Sequence, residues 1–359
     1  MTVAELLQAA PYSIPQAEKE AILVEQLGAL TEHHRRECAE YDRLVRILYG
    51  GSGPAARLAD IPFLPVGLFK SHALRSIPES AIFKTLRSSG TTGQEPSQIV
   101  LDRETAQRQT LALSRIMTHV LGARRLPMLL IETPSLIKDR RQISARAAGL
   151  LGMMNFGRDH AYALNDAMEL DGDAVRGFLE RFGGQPFLMF GFTFVAWQYF
   201  LMKLAGQKVD LSNGTLIHSG GWKKLQEQAV SPQELRRRFL AETGLARIYN
   251  FYGMVEQVGS VFLEGEDGYL YPPAFADVIV RDPVTLEELP HGQTGILQVL
   301  SVLPTSYPGH SLLTEDLGVV RAVDSPACGR FGKAFSTLGR LPRAELRGCS
   351  DVIAASARI

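Results

Sequence analysis

Ser88-Ser89-Gly90-Thr91-Thr92-Gly93-Gln94-Glu95-Pro96-Ser97 is the stretch on which the reading of this chain turns, because its first six residues hold four hydroxyls and two glycines. The run shortly follows the apolar Ala81-Ile82-Phe83. Glycine lets the backbone curl so that successive N–H groups point inward, and Ser and Thr add hydroxyl donors, which together make a cradle for an anion. A phosphate chain is its natural guest. The same residue types build ordinary surface turns, and for the run taken alone that alternative stays open. No Lys-Ser or Lys-Thr follows Gly93, so the generic P-loop reading fails.

Further strings follow along the chain: Leu216-Ile217-His218-Ser219-Gly220-Gly221-Trp222, then Tyr249-Asn250-Phe251-Tyr252-Gly253-Met254-Val255-Glu256, then Thr314-Glu315-Asp316, and last Gly339-Arg340. In this order the set resembles the adenylate-forming enzymes, the superfamily of acyl- and aryl-CoA synthetases, peptide-synthetase adenylation domains and luciferases. The resemblance implies an α/β chain corresponding to that fold's large N-terminal domain, with helix-covered mixed sheets and a small β-barrel-like part. It also implies ATP and Mg²⁺ as cofactors and a small-molecule carboxylic acid as substrate.

The site roles come from the same likeness. Ser88, Ser89, Gly90, Thr91, Thr92 and Gly93 would hold the β- and γ-phosphates. Ser219, Gly220 and Gly221 would lie along the adenine, with Tyr252 stacked on it and Gly253 beside it. Glu256 would bind Mg²⁺, a hard ion that favours carboxylate and phosphate oxygens, and counts as catalytic. Asp316 would accept hydrogen bonds from the ribose, and Arg340 would touch ribose or phosphate. His218 and Trp222 would face the acid. Each has a plainer reading that stays open: a strand-end acid for Glu256, a core ring for Tyr252, a turn residue for Asp316, a surface charge for Arg340 and a satisfied core histidine for His218.

Three departures stand out. Val255 replaces the family's Thr, and Ser97 stands where a lysine usually closes the phosphate loop. Only nineteen residues follow Arg340, so the small C-terminal lid domain and its catalytic lysine are expected to be missing, and adenylation would then be slow, rely on a partner or use another cation such as Arg343 or Arg347. That shortening, with Phe63-Leu64-Pro65-Val66-Gly67-Leu68-Phe69-Lys70, Cys328-Gly329-Arg330 and Leu346-Arg347-Gly348-Cys349, resembles the acyl-protein synthetases of the bacterial luminescence fatty-acid reductase. The likeness implies a separate reductase as partner and Cys349 as the thiol that takes the acyl group, with an incidental tail cysteine as the plainer reading that stays open. A lid-less group in phenazine antibiotic biosynthesis is similar and activates an aromatic acid. A coenzyme A ligase and a non-catalytic nucleotide-binding scaffold remain as alternatives.

Composition agrees with such a chain. At 359 residues with 45% hydrophobic and 21% charged, it reads as a globular protein with large cores. Lys plus Arg balances Asp plus Glu at 38 each, so no global field recruits nucleic acid. Three cysteines give neither a disulfide framework nor a zinc site, and the N-terminus lacks a basic region before an apolar core. A cytoplasmic location is expected, with no membrane span, although Pro186 to Gly206 is nearly all apolar. Self-association into a homo-oligomer stays open.

Periodicity divides the chain into an N-terminal helical segment (1–75), an α/β nucleotide- and acid-binding part (76–262), a β-rich part (263–340) and a short tail (341–359). Within the α/β part, helices are expected at 105–121, 144–153, 173–182 and 232–242. Strands are expected at 128–131, 161–164, 187–190, 215–218 and 247–250, and Thr193 is expected to cap a helix after the third of them. The β-rich part should place strands at 268–271, 276–280, 295–300 and 317–320.

Overall fold

The computed structural model describes residues 1–51, 53–88, 96–137, 145–221, 229–325 and 328–341. Ser89 to Gly93, Trp222, Arg343, Arg347 and Cys349 therefore lie outside the described residues. Two compact units emerge: Met1–Ile116, Gly253–Phe262 and Tyr269–Ile359 form the first, Met117–Tyr252 and Leu263–Gly268 the second.

The first unit opens with α1 (Val3–Gln8), α2 (Gln16–Glu37) and α3 (Ala39–Tyr49), the last two being the helices that the spacing of Leu23, Leu27, Leu30, Leu44 and Leu48 predicts. Thr2 and Glu5 form a reciprocal capping box on α1. The inner stripe of α2 is Gln16, Lys19, Leu23, Leu27, Leu30, Thr31 and His34, a helical repeat with polar residues at both ends. Next, β1 (Leu64–Pro65) and α4 (Leu68–Ser71) occupy the Pro-spaced stretch, whose prolines at 62 and 65 exclude a regular helix before Leu68. The hairpin β2 (Lys84–Arg87) and β3 (Gln98–Leu101) pairs Arg87 with Gln98, and α5 (Arg103–Leu121) follows, its first turn bonded to the Asp102 carboxylate.

The second unit contains β4 (Leu126–Ile131), α6 (Ala145–Met154), β5 (Gly157–Tyr162), α7 (Gly172–Phe182), β6 (Phe187–Phe192), α8 (Thr193–Val195), α9 (Met202–Leu204), β7 (Gly214–Ser219), α10 (Pro232–Thr243) and β8 (Arg247–Tyr252). Its strands lie in the order β8-β7-β6-β4-β5, and every neighbouring pair is parallel. Parallel strands covered on both faces read as unbroken apolar runs, as in Phe187-Leu188-Met189-Phe190. Leu129, Met189, Leu216 and Ile248 from the sheet pack with Phe178, Phe200 and Phe239 from the helical segments.

Two expectations shift here. The strand sought at 161–164 runs over Gly157–Tyr162, because β5 is the edge strand and its exposed Arg158 and Asp159 break the apolar signal. Thr193 is not a cap: Phe192 holds the cap position without a side-chain bond, and the Thr193 hydroxyl is turned to His218. The apolar Pro186–Gly206 stretch is β6, two short helices and a π-helical turn at Ala196–Leu201. Among the described residues no helix is long and apolar enough to cross a membrane.

Past β9 (Phe262–Glu264), the first unit resumes with β10 (Leu270–Tyr271), β11 (Ala276–Arg281), β12 (Gly295–Ser301), β13 (Ser311–Val323) and β14 (Lys333–Arg340). Its strand order is β11-β12-β13-β14-β10, antiparallel between β11 and β10, with β1 added in parallel on β13. The strand expected at 317–320 begins six residues earlier, because Thr314-Glu315-Asp316 interrupts the apolar pattern without interrupting the strand. Pairing with β1 ends at Leu313 and pairing with β14 begins at Asp316. Thr314 and Glu315 thus lie at a gap between the two partners of β13.

Candidate functional site

The described ends of the Ser/Thr/Gly stretch are fastened together. Ser88 N–H donates to the Ser97 carbonyl at 3.0 Å, and Ser97 N–H donates to Ser88 Oγ at 2.8 Å. Ser88 and Ser97 thereby close the described end of the β2–β3 hairpin and form the mouth of the 88–97 stretch. Ser97 is fully buried, and its Oγ has no partner in hydrogen-bonding geometry.

Beside Ser97 lies Glu256, in a single helical turn at Val255–Gln257 and 7% exposed. Burial pushes its carboxyl above the usual range, while the Ser97 hydroxyl, its own N–H and the Lys70 charge pull it back, and Glu315 pushes it up again. The turn is held from below: Gln257 Nε2 donates to the Val299 and Gly309 carbonyls at 3.1 and 2.8 Å, and Tyr307 Oη donates to the Glu256 carbonyl at 2.9 Å. Gly309 allows this approach, since a β-carbon there would fall 2.7 Å from the Glu256 carbonyl oxygen and 2.3 Å from Tyr307 Cε2. Gly253, just upstream, is roomier, with the nearest atoms 3.8 Å from a β-carbon.

On β13, Thr314 Oγ1 donates to the Leu297 carbonyl at 2.8 Å and accepts from Asp316 N–H at 3.1 Å, which fixes the strand around the two acids. Asp316 pairs across the ladder with Arg340, whose Nε lies 3.6 Å from Asp316 Oδ1 and Nη1 3.8 Å from Glu315 Oε2. Arg340 is 70% exposed and both contacts are long. Such pairs contribute about 0–1 kcal/mol, so exchanging one for a ligand contact costs little.

In the second unit, His218 and Ser219 end β7 and Tyr252 ends β8, at the carboxyl edge of the parallel sheet, where open α/β sheets bind ligands. Gly220 turns the chain there with φ +84, and a β-carbon on it would meet Phe192 Cδ1 at 3.5 Å. His218 is buried, its Nδ1 2.9 Å from Thr193 Oγ1, and burial first, then the Arg236 charge, lower its pKa to about 3. The imidazole is therefore neutral near pH 7. Arg236 itself pairs with Glu264 at 2.8 Å. Of the apolar run that follows β6, Val195 and Ala196 are core, whereas Phe192, Phe194 and Trp197 are partly buried against it.

Within the first unit, then, Ser88, Ser97 and Glu256 converge, as do Asp316 and Arg340. Within the second, His218, Ser219, Gly220 and Tyr252 share one sheet edge. Among the described residues no three His, Cys, Asp or Glu side chains form a metal-binding group. Glu256 beside the Ser97 hydroxyl is nonetheless an all-oxygen donor set, and it fits an ion that takes one or two carboxylates plus phosphate oxygens. The supporting residues are harder to read from sequence: Thr193 looks like a cap, Lys70 and Glu315 stand inside quoted strings with no role of their own, and Tyr307 carries no local signal.

The chain matches the acyl-protein synthetase, LuxE family over residues 2–357. It belongs to that family. Relatives include the long-chain-fatty-acid–luciferin-component ligase of Vibrio harveyi, 24% identical over 303 residues, covering 82% of this chain and 77% of that protein. The protein of the same name from Aliivibrio fischeri is 22% identical over 275 residues, with 74% and 71% covered. Among solved structures, 2-hydroxyisobutyryl-CoA ligase in complex with 2-HIB-AMP and CoA superposes with a TM-score of 0.68 at 19% identity, covering 92% of this chain and 76% of that one. ATP-bound MatB from Rhodopseudomonas palustris gives 0.50 at 16%, covering 74% and 49%. The fold is that of the adenylate-forming enzymes. This acyl-protein synthetase family member is an enzyme of the ligase type, and its general chemistry is carboxylate activation.

Proposed function

We propose that this family member converts a fatty or aromatic carboxylic acid and ATP to an acyl-adenylate, which a thiol and then a partner reductase receive. The observation that carries the reading is the buried Glu256 turn set against Ser97 at the mouth of the 88–97 loop. In the reaction a carboxylate oxygen forms a bond to the α-phosphorus of ATP as the bond to the bridging oxygen breaks, and pyrophosphate leaves with that electron pair. The loop, Ser88 to Gly93, holds the β- and γ-phosphates. Glu256 would hold Mg²⁺, which when bound neutralises charge on those phosphates. Asp316 accepts from the ribose hydroxyls, with Arg340 beside it, and Tyr252 stacks on the adenine along Ser219-Gly220-Gly221. His218, neutral and oriented by Thr193, and Trp222 face the acid.

Cys349 is the proposed acceptor: its thiolate attacks the acyl carbon, the carbon–oxygen bond to phosphate breaks, and AMP leaves. Arg347 nearby in sequence favours the thiolate. The test is ATP–pyrophosphate exchange across a panel of fatty and aromatic acids, followed by labelling with the best radiolabelled acid. Wild type should acquire a hydroxylamine-sensitive label, and Cys349→Ser should lose the label while keeping exchange. No exchange with any acid removes the reading. Ser97 in place of the loop lysine supports one rival, a nucleotide-binding scaffold of a reductase complex, which binds ATP without exchange.

A further inference from the structure

The 88–97 stretch contains no lysine or arginine and includes the acidic Glu95. A loop meant for a phosphate chain thus supplies dipoles and no cation, and Glu256 beside it is a further negative charge. Phosphate sites normally bring a lysine or arginine to such a point. The fold brings one from a different direction.

β1 lies on β13 with Leu64 opposite Leu312 and Pro65 opposite Leu313, and Val66 N–H donates to the Leu313 carbonyl at 2.9 Å. The chain leaves β1 at the gap where Thr314 and Glu315 lie, and a β-carbon built on Gly67 would be 4.0 Å from Glu315 Oε1. It then turns into α4, where Phe69 packs edge-on against Tyr307 with ring centroids 6.1 Å apart. Tyr307 is the residue whose hydroxyl bonds the Glu256 carbonyl. Lys70, next in sequence and half-buried, thus follows directly on the residue that packs against Tyr307. Its ammonium lies near enough to the Glu256 carboxyl to interact with it electrostatically. The fully buried Ser97 hydroxyl lies beside the same carboxyl.

We infer that Lys70 is the polyphosphate-binding cation of this site, its ammonium meeting the β- or γ-phosphate of ATP beside Glu256 and Ser97, in the role left vacant at the end of the 88–97 loop. The inference rests on the nucleotide reading above and adds to it a residue that comes from the N-terminal segment. An ammonium on a compact, half-buried helix end suits a point contact with phosphate.

Calorimetry with ATP and AMP on wild type, Lys70→Gln, Lys70→Arg and the exposed-strand control Lys84→Gln tests this. Lys70→Gln should lose about 10-fold or more in ATP affinity and stay within about twofold for AMP, the size expected for one charge-assisted contact. Lys70→Arg should recover most of the loss, and Lys84→Gln should resemble wild type. In wild-type protein, amine acetylation of Lys70 read by mass spectrometry should be slowed by MgATP and by inorganic tripolyphosphate but not by AMP, which covers the case of an unstable variant. Equal ATP affinity in Lys70→Gln, or an equal fall for ATP and AMP, overturns the assignment. Lys70 acetylation that tripolyphosphate does not slow also overturns it. If wild type binds no ATP at all, the proposed function falls, and this inference with it; if wild type binds ATP and Lys70→Gln does so equally, only the inference falls.

Discussion

Glu256 carries opposed demands: burial favours its neutral form, while metal binding needs the charged one. Glu256→Gln keeps shape and removes the charge, so the desolvation cost disappears with it. We expect this variant to melt at the wild-type temperature or above while its ATP–pyrophosphate exchange falls by roughly 10- to 100-fold. A variant that loses stability and activity together would mean the carboxylate is a structural partner rather than a ligand. Asp316→Ala should instead weaken ATP and AMP alike, since ribose is common to both, and calorimetry showing unchanged affinities would remove Asp316 from the site. The motif strings placed both acids in sequence because each lies in a short signature. His218 was visible in the same way, but Thr193, its partner 25 residues away, was not. A hydroxyl before an apolar run looks like a cap, and only the parallel register of β6 and β7 turns it to an imidazole.

At the scale of elements, the close approach of Gly309 to the Glu256 turn is the contact most open to test. In Gly309→Ala, the new methyl meets the Tyr307 ring at 2.3 Å and the Glu256 carbonyl at 2.7 Å, and one of these is backbone. Relief requires moving the turn, at about 1–3 kcal/mol. Urea unfolding should show that loss, and exchange activity should fall with it because Glu256 moves; an unchanged midpoint would show that the packing is looser than drawn. Helices and central strands were legible because a buried parallel sheet gives unbroken apolar runs and α2 repeats its apolar stripe. Edges were not. β5 exposes charge, and β13 carries acids in mid-strand, so both broke the pattern that marks a strand. Nor could periodicity show that β1, two residues long, docks on β13 and sets the direction of α4.

Across the whole molecule, three buried histidines set the acid side of the stability curve. His34 accepts from or donates to Ser76 at 2.7 Å, contacts the Pro304 carbonyl at 3.2 Å and stacks on His310, while His33 packs edge-on against it. His310 lies 3.0 Å from Thr31 Oγ1 and 3.4 Å from the Tyr41 hydroxyl. Burial first, then the neighbouring histidines, holds His34 well below its ordinary value and lowers His310 to about 3, as burial and Arg236 lower His218 to about 3. For a base whose folded pKa is depressed, the unfolded chain binds the proton first. Stability is therefore complete above pH 6.5 and declines as pH falls below it toward the folded values, with a slope approaching about 1.4 kcal/mol per pH unit for each histidine. Glu256 and Glu264, raised by burial, act in the opposite sense, but only as pH approaches their own folded values from above. Asp277 is held low by Lys19 and Lys333 despite its burial, and its contribution is lost only below the ordinary carboxylate range. The histidines should thus leave urea midpoints nearly level from pH 7.5 to about 6.5 and lower them from there to pH 5.5. His310→Asn, whatever its absolute stability, should show a shallower fall than wild type because one titrating ring is gone. A midpoint that is flat from pH 7.5 to 5.5, or an unchanged slope in His310→Asn, would mean these rings reach water and protonate without unfolding.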